Sequence, residues 1–99
     1  MKLSSKQRAY LKGLASTYDV ILNVGKSSIT PEVCNAVNEA LEKRELIKIG
    51  VLKNCADDPR DIAEVISERT HSTIVQVIGK KIVLYKQKKD KNVIKLPLE

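Results

Sequence analysis

The residues best suited to chemistry in this chain are Gly25-Lys26-Ser27-Ser28. They follow a short apolar run, Val20-Ile21-Leu22, and precede Thr30-Pro31-Glu32. The second group is a strong helix start: a hydroxyl that can cap, a proline suited to the first helical position, and an acid that favours the positive end of the dipole. One point of the chain thus offers a cation, two hydroxyls and the free N–H groups of a helix N-terminus, which is chemistry suited to a phosphate. A glycine lets a sugar-phosphate strand come close, and Lys26 can neutralise its charge. The same residues also read as an ordinary strand-to-helix turn with Lys26 in solvent. On a second basic segment, Lys6, Arg8 and Lys12 can extend a phosphate-binding surface. Arg8 and Lys12, four apart on a helix, repel one another slightly, and a polyanion would relieve that cost.

Other chemistry is poorly supplied. A phosphate-binding loop of the Gly-Lys-Ser type requires a glycine five residues before Gly25, where Val20 stands, so an NTPase is not expected. His71, the single histidine, has no catalytic partner nearby and reads as structural. Ser27, Ser28 and Ser72 lack a nucleophile-elbow context. Asp57, Asp58 and Asp61 read as helix-start acids, not as a metal cluster. Cys34 and Cys55 form no Cys-x-x-Cys pair and are expected as reduced thiols. Neither a catalytic residue, nor a cofactor, nor a metal is expected. Tyr10, Tyr18 and Tyr85 do not form the aromatic pair with which some sheets stack bases, so recognition should rest on backbone and shape.

The chain has 99 residues with 42% hydrophobic content, enough for one cooperative domain. No apolar run approaches the ~20 residues of a membrane span, and the N-terminus lacks the apolar centre of a signal peptide, so a cytoplasmic location is expected. The net charge of +6 is uneven: +4 over residues 1–30, −3 over 31–79 and +5 over 80–99. Two basic ends around an acidic middle produce a polarised surface if the ends meet in the fold, and such a surface steers polyanions.

The elements that would position these residues follow from periodicity and caps. Ser4-x-x-Gln7 is a capping box for a helix over about 5–16, with Leu3, Gln7, Tyr10, Leu11 and Leu14 on one stripe. A strand over about 19–23 leads to a helix from Pro31 to about Lys43. The next strand, about 45–53, turns Ile47, Ile49 and Val51 to one face and Lys48 and Gly50 to the other. Asp58 caps a third helix begun by Pro59. Strands over 72–78 and 81–85 form a hairpin through Gly79-Lys80. The order α-β-α-β-α-β-β predicts an α/β, two-layer single domain over residues 1–99 with a mixed four-stranded sheet, since β-α-β units make parallel strands and hairpins antiparallel ones. Residues 86–91 read as a mobile basic run, part of a basic tail over about 86–99, and Val93 to Leu98 as an apolar segment able to dock back.

Four blocks taken together resemble the CRM-domain family in its small, stand-alone, YhbY-like form: Leu3 to Ala15, Val24 to Thr30, Ala40 to Lys48, and Val75 to Lys86. The resemblance implies a fold like the C-terminal domain of translation initiation factor three. It further implies binding of ribosomal RNA during maturation of the large ribosomal subunit, without enzymatic activity. The family's Gly-x-x-Gly loop falls on Gly25, Lys26, Ser27 and Ser28, so serine stands here in place of the second glycine, at a position where positive φ costs serine more than glycine. Basic residues of the first helix carry over to Lys6, Arg8 and Lys12.

The expected function is therefore that of a monomeric RNA-binding assembly factor, working on the precursor of the large ribosomal subunit and gripping its RNA through the Gly25–Ser28 loop and the first helix. Assembly factors are expected as further partners. The alternative is a protein-interaction module that docks on an assembly GTPase or ribosomal protein through the acidic middle: Asp57, Asp58, Asp61, Glu64 and Glu68. DNA binding by a winged-helix arrangement fits less well, because a strand precedes Gly25.

Overall fold

A computed structural model describes residues 2–88 and 94–98. Three helices and four strands follow in the order α1 (Ser5–Ala15), β1 (Asn23–Val24), α2 (Pro31–Arg44), β2 (Leu46–Val51), α3 (Pro59–Thr70), β3 (Thr73–Ile78) and β4 (Lys81–Tyr85).

Each helix begins as its sequence dictates. Ser4 Oγ accepts from Gln7 N at 3.1 Å while Gln7 Oε1 accepts from Ser4 N at 3.1 Å, completing the capping box. Thr30 Oγ1 accepts from Val33 N at 3.1 Å, and Asp58 Oδ1 accepts from Arg60 N at 2.8 Å. The helix ends use non-glycine residues at positive φ: Glu45 closes α2 at φ 62° and His71 closes α3 at φ 56°. His71 thus terminates α3.

The sheet order is β1-β2-β4-β3. β1 and β2 are parallel, and β4 is antiparallel to both β2 and β3. The β2–α3–β3 crossover therefore leaves a one-strand gap that β4 fills. The strand expected over 19–23 is shifted forward, because Val24 O accepts from Leu52 N at 2.9 Å and carries the ladder to the loop.

Alternation along the strands divides the core in two. Ile47, Ile49, Val51, Ile82 and Leu84 face α2 and α3, packing with Val37, Leu41, Ile62 and Ile66. Leu46, Val75, Val83 and Tyr85 face the other way and pack with Leu11 and Ala15 of α1. The α/β class, element order and mixed sheet are as expected, but the two-layer arrangement becomes three layers, helix–sheet–helix. The reason lies in β2 and β4: both faces of these central strands carry large apolar side chains, and each must be covered.

The chain ends meet on the α1 side. Leu3, Ile94 and Leu96 pack in the same cluster, and Gln7 Nε2 donates to Pro97 O at 3.1 Å. The apolar segment near the C-terminus therefore docks as expected over 94–97. Of the run expected to be mobile, residues 89–91 lie outside the described residues. Buried Glu45 organises this junction: its carboxylate accepts from Lys88 N at 2.8 Å and Ile94 N at 2.7 Å, and its carbonyl accepts from Lys86 N at 2.8 Å. Tyr85 is fully buried beside it. Burial, and secondarily the Glu45 charge, push the phenol's pKa above its ordinary 10.0.

Candidate nucleic-acid interface

β1, β2 and β3 run parallel, so the segments that follow them emerge at one end of the sheet. That end gathers the Gly25–Ser28 loop, the 52–58 connection and the Gly79-Lys80 turn, the last held to β2 by Val51 N donating to Lys80 O at 2.7 Å.

Gly25 to Ser28 form a tight turn, with Ser28 N donating to Gly25 O at 2.9 Å and Lys26 and Ser27 exposed at its apex. A β-carbon on Gly25 would meet only ordinary contacts, 3.5 Å from Leu52 Cδ1, so the fold itself does not demand glycine there. What the missing side chain leaves open is close approach from outside. Ser28 does adopt the left-handed conformation, φ 55°, as the Gly-x-x-Gly pattern implied for this position. Its hydroxyl donates to Asp57 Oδ2, tying the loop to the residue before the α3 cap. That hydroxyl is therefore engaged within the protein, and an acid stands beside the turn.

The helix N-terminus behind the loop offers less than its sequence suggests. Pro31 has no N–H, Val33 N donates to Thr30 Oγ1, and Cys34 N donates to Thr30 O at 3.1 Å. Among the described residues only Glu32 N of this first turn is left without a partner, so Lys26 and the turn's own backbone carry most of the anion-binding capacity.

On α1 the three basic residues separate. At 3.6 residues per turn Lys6 lies about 160° from Arg8 and about 120° from Lys12, so it points away from both. Arg8 is half-buried, and its Nη1 donates to Ile74 O at 2.6 Å and Val75 O at 2.9 Å on β3. Lys12 is exposed, one turn further along the same side. The structure thus brings Lys12 towards the sheet, uses Arg8 as a structural clamp, and leaves Lys6 apart.

Two lysines on the sheet complete this side. Lys48 of β2 pairs with Val83 of β4, and Gly50 pairs with Lys81, placing Lys48 and Lys81 on the α1 face between α1 and the loop end. The alternation of β2 already turned Lys48 away from the apolar face. Its meeting with Lys12 and Lys81 depends on β4 lying next to β2, a pairing that residue patterns alone do not specify. The exposed acids Asp61, Glu64 and Glu68 lie on α3, on the opposite side of the sheet. The charge is therefore polarised across the fold. Among the described residues no group of three or more His, Cys, Asp or Glu is placed to hold a metal ion, and no helix is long and apolar enough to cross a membrane.

Residues 3–86 match the CRS1 / YhbY (CRM) domain. The chain belongs to that family. It is 42% identical to "Probable RNA-binding protein YqeI" of Bacillus subtilis, over 96% of this chain and 99% of that protein. It is 34% identical to a Haemophilus influenzae protein named "RNA-binding protein", over 96% of this chain and 95% of the other. The solution structure of the Staphylococcus aureus protein SAV1595 superposes with a TM-score of 0.81 at 44% identity, covering 97% of this chain and all of the other. The expectation of a non-enzymatic protein agrees with the names these relatives carry.

Proposed function

We propose that the chain is an RNA-binding protein that acts, as a cytoplasmic monomer, in assembly of the large ribosomal subunit. It would grip the ribosomal RNA backbone through the Gly25–Ser28 turn and the basic side of α1. The observation that carries this reading is the exposed Lys26–Ser27 apex at the sheet end where Lys80 and Lys81 also emerge. The RNA-binding names of relatives that align over 96% of the chain support the choice of ligand. Lys26 supplies charge, Ser27 and the turn N–H groups supply donors, and Gly25 permits close approach. Ser28 holds the turn's shape through Asp57, and Lys12 extends the charge along α1.

Sedimentation of the tagged protein through a lysate gradient tests the cellular part of the proposal. Co-migration with immature large subunits, lost after nuclease treatment, is the expected result. Migration as a free small protein at low salt overturns the assembly role. The Lys26→Glu variant tests the site: it should bind RNA more weakly while its melting temperature stays at the wild-type value.

The exposed acids of α3 favour a second reading, docking on an assembly GTPase or ribosomal protein. A complex held that way survives nuclease treatment, whereas an RNA-held one does not.

A further inference from the structure

A groove of about 450 Å³ lies on the α1 face, between the C-terminal turn of α1 and strands β2, β3 and β4. Lys12, Lys48 and Lys81 rim it, and Gln76, Ile78 and the backbone at Gly13 line it. Three features of this groove have no explanation in the fold. No carboxylate is among the described residues that line it, and none of the three lysines has an ion-pair partner among the described residues. Ile78 is 58% exposed, a large apolar side chain left facing solvent in a sheet otherwise well covered. Gly13 sits inside a helix, where glycine is unfavourable, yet a β-carbon there would meet nothing within 4 Å. The protein's own packing does not require that glycine, and its missing side chain leaves the groove wider at this point.

A second hollow of about 310 Å³ shares Ile78 and Lys81 with the first and continues past Lys80 to Asn23. Asn23 sits over Gly50 so closely that a β-carbon at 50 would stand 2.4 Å from Asn23 Oδ1. The path therefore runs from α1 across the sheet to Asn23 at the start of β1, two residues short of Gly25.

We propose that this groove is a binding site for a single-stranded segment of RNA, whose phosphates lie on Lys12, Lys48 and Lys81 and one of whose bases packs on Ile78. The proposal rests on the RNA-binding reading above and extends the site from the Gly25–Ser28 turn across the sheet. Single-stranded ligands suit a basic groove with an apolar floor, because unpaired bases present a face to pack. A duplex keeps its bases stacked on one another and would meet only the lysine tips. A protein partner would bring the acids needed for the lysines but would leave the glycine at position 13 without a role.

The test measures binding of a labelled oligouridine and of a duplex RNA of equal length to the full chain and to Gly13→Leu, Lys48→Gln and Lys26→Glu. Gly13→Leu fills the groove without altering charge, and leucine is a better helix residue than glycine. The expected result is tight binding of oligouridine by the wild type, weakened about tenfold by Gly13→Leu. Lys48→Gln should weaken it and lower the slope of log K against log salt by about one. Circular dichroism melts establish that each variant is folded, and Lys48→Gln keeps the test decisive should Gly13→Leu not fold. Wild-type affinity for oligouridine in both groove variants overturns the groove; if Lys26→Glu alone weakens binding, the loop reading stands without it. Binding of the duplex but not of oligouridine also overturns the groove and leaves RNA binding intact. Binding of neither RNA at low salt overturns both.

Discussion

Arg8 Nη1 donates to the carbonyl oxygens of both Ile74 and Val75, at 2.6 and 2.9 Å, where β3 bulges against β4. β3 is an edge strand, and the bulge takes Val75 out of register with its neighbour. Two edge carbonyls facing α1 would otherwise need water under a half-buried helix. Alternation turns Val75 into the α1 cluster and Ile74 towards α2 and α3, and the extra residue of the bulge keeps Val77, opposite Ile82, on the α2–α3 side. Arg8 is consequently part of the scaffold that aims Lys12 at the sheet.

Arg8→Ala should therefore lower stability by about 1–3 kcal/mol, the cost of leaving such acceptors unsatisfied. Thermal denaturation checks it. Arg8→Lys should recover only part of the loss, because the flexible lysine stem gives up more rotamer freedom to hold one nitrogen against both carbonyl oxygens. An RNA-contact residue without a structural role would leave the melting temperature unchanged in both variants.

Ser28 gives a sharper contrast. Left-handed backbone costs a non-glycine residue roughly 1–2 kcal/mol, which the hydroxyl bond to Asp57 partly offsets. Ser28→Ala keeps the strain and loses the bond, so it should melt lower than wild type. Ser28→Gly loses the bond and the strain together and should melt close to wild type. The order Gly above Ala in melting temperature is the expected outcome, and the reverse order would contradict the strain argument.

Tyr85 predicts a pH dependence. Burial, and then the charge of Glu45, raise its pKa in the folded state above 10.0, whereas in the unfolded chain it titrates near that value. The unfolded state therefore releases the proton first as pH rises, and the stability present below about pH 10 is lost progressively above it. Tyr85→Phe should flatten this alkaline fall in melting temperature. At neutral pH it should cost little, since the Tyr85 hydroxyl has no hydrogen-bond partner among the described residues.

Local signals were legible in the sequence because they act over three or four residues. Ser4 with Gln7, Thr30 with Pro31, Asp58 with Pro59, and the Gly79-Lys80 turn all occur where their chemistry places them. The side of the sheet that α1 covers was not legible, since its apolar stripe specifies that it is buried but not against which face. The same holds for Glu45, which the sequence places at the start of the strand over about 45–53 with no local signal that it is buried. Its burial follows from Lys88 N and Ile94 N arriving from more than forty residues away. Of the candidate site, the loop and Lys12 were visible as types and spacing. Arg8 was visible too, but its clamp on β3 depends on a bulge that no local pattern announces, and the gathering of Lys48 and Lys81 depends on strand order.

The separation of Lys6 from Lys12 yields the last prediction. Both are exposed lysines on α1, so charge count alone makes Lys6→Glu and Lys12→Glu equivalent. In the proposed interface they are not. Lys12 borders the groove with Lys48 and Lys81, while Lys6 lies about 120° around the helix and contributes only through the long-range field. At an ionic strength near 0.15 M, with a screening length of about 8 Å, that long-range share shrinks and the contact share persists. Lys12→Glu should therefore weaken oligouridine binding markedly more than Lys6→Glu at physiological salt, and it should also lower the slope of log K against log salt by more. Equal losses at every salt concentration would mean that α1 attracts RNA only as a diffuse cation, with no defined face towards it.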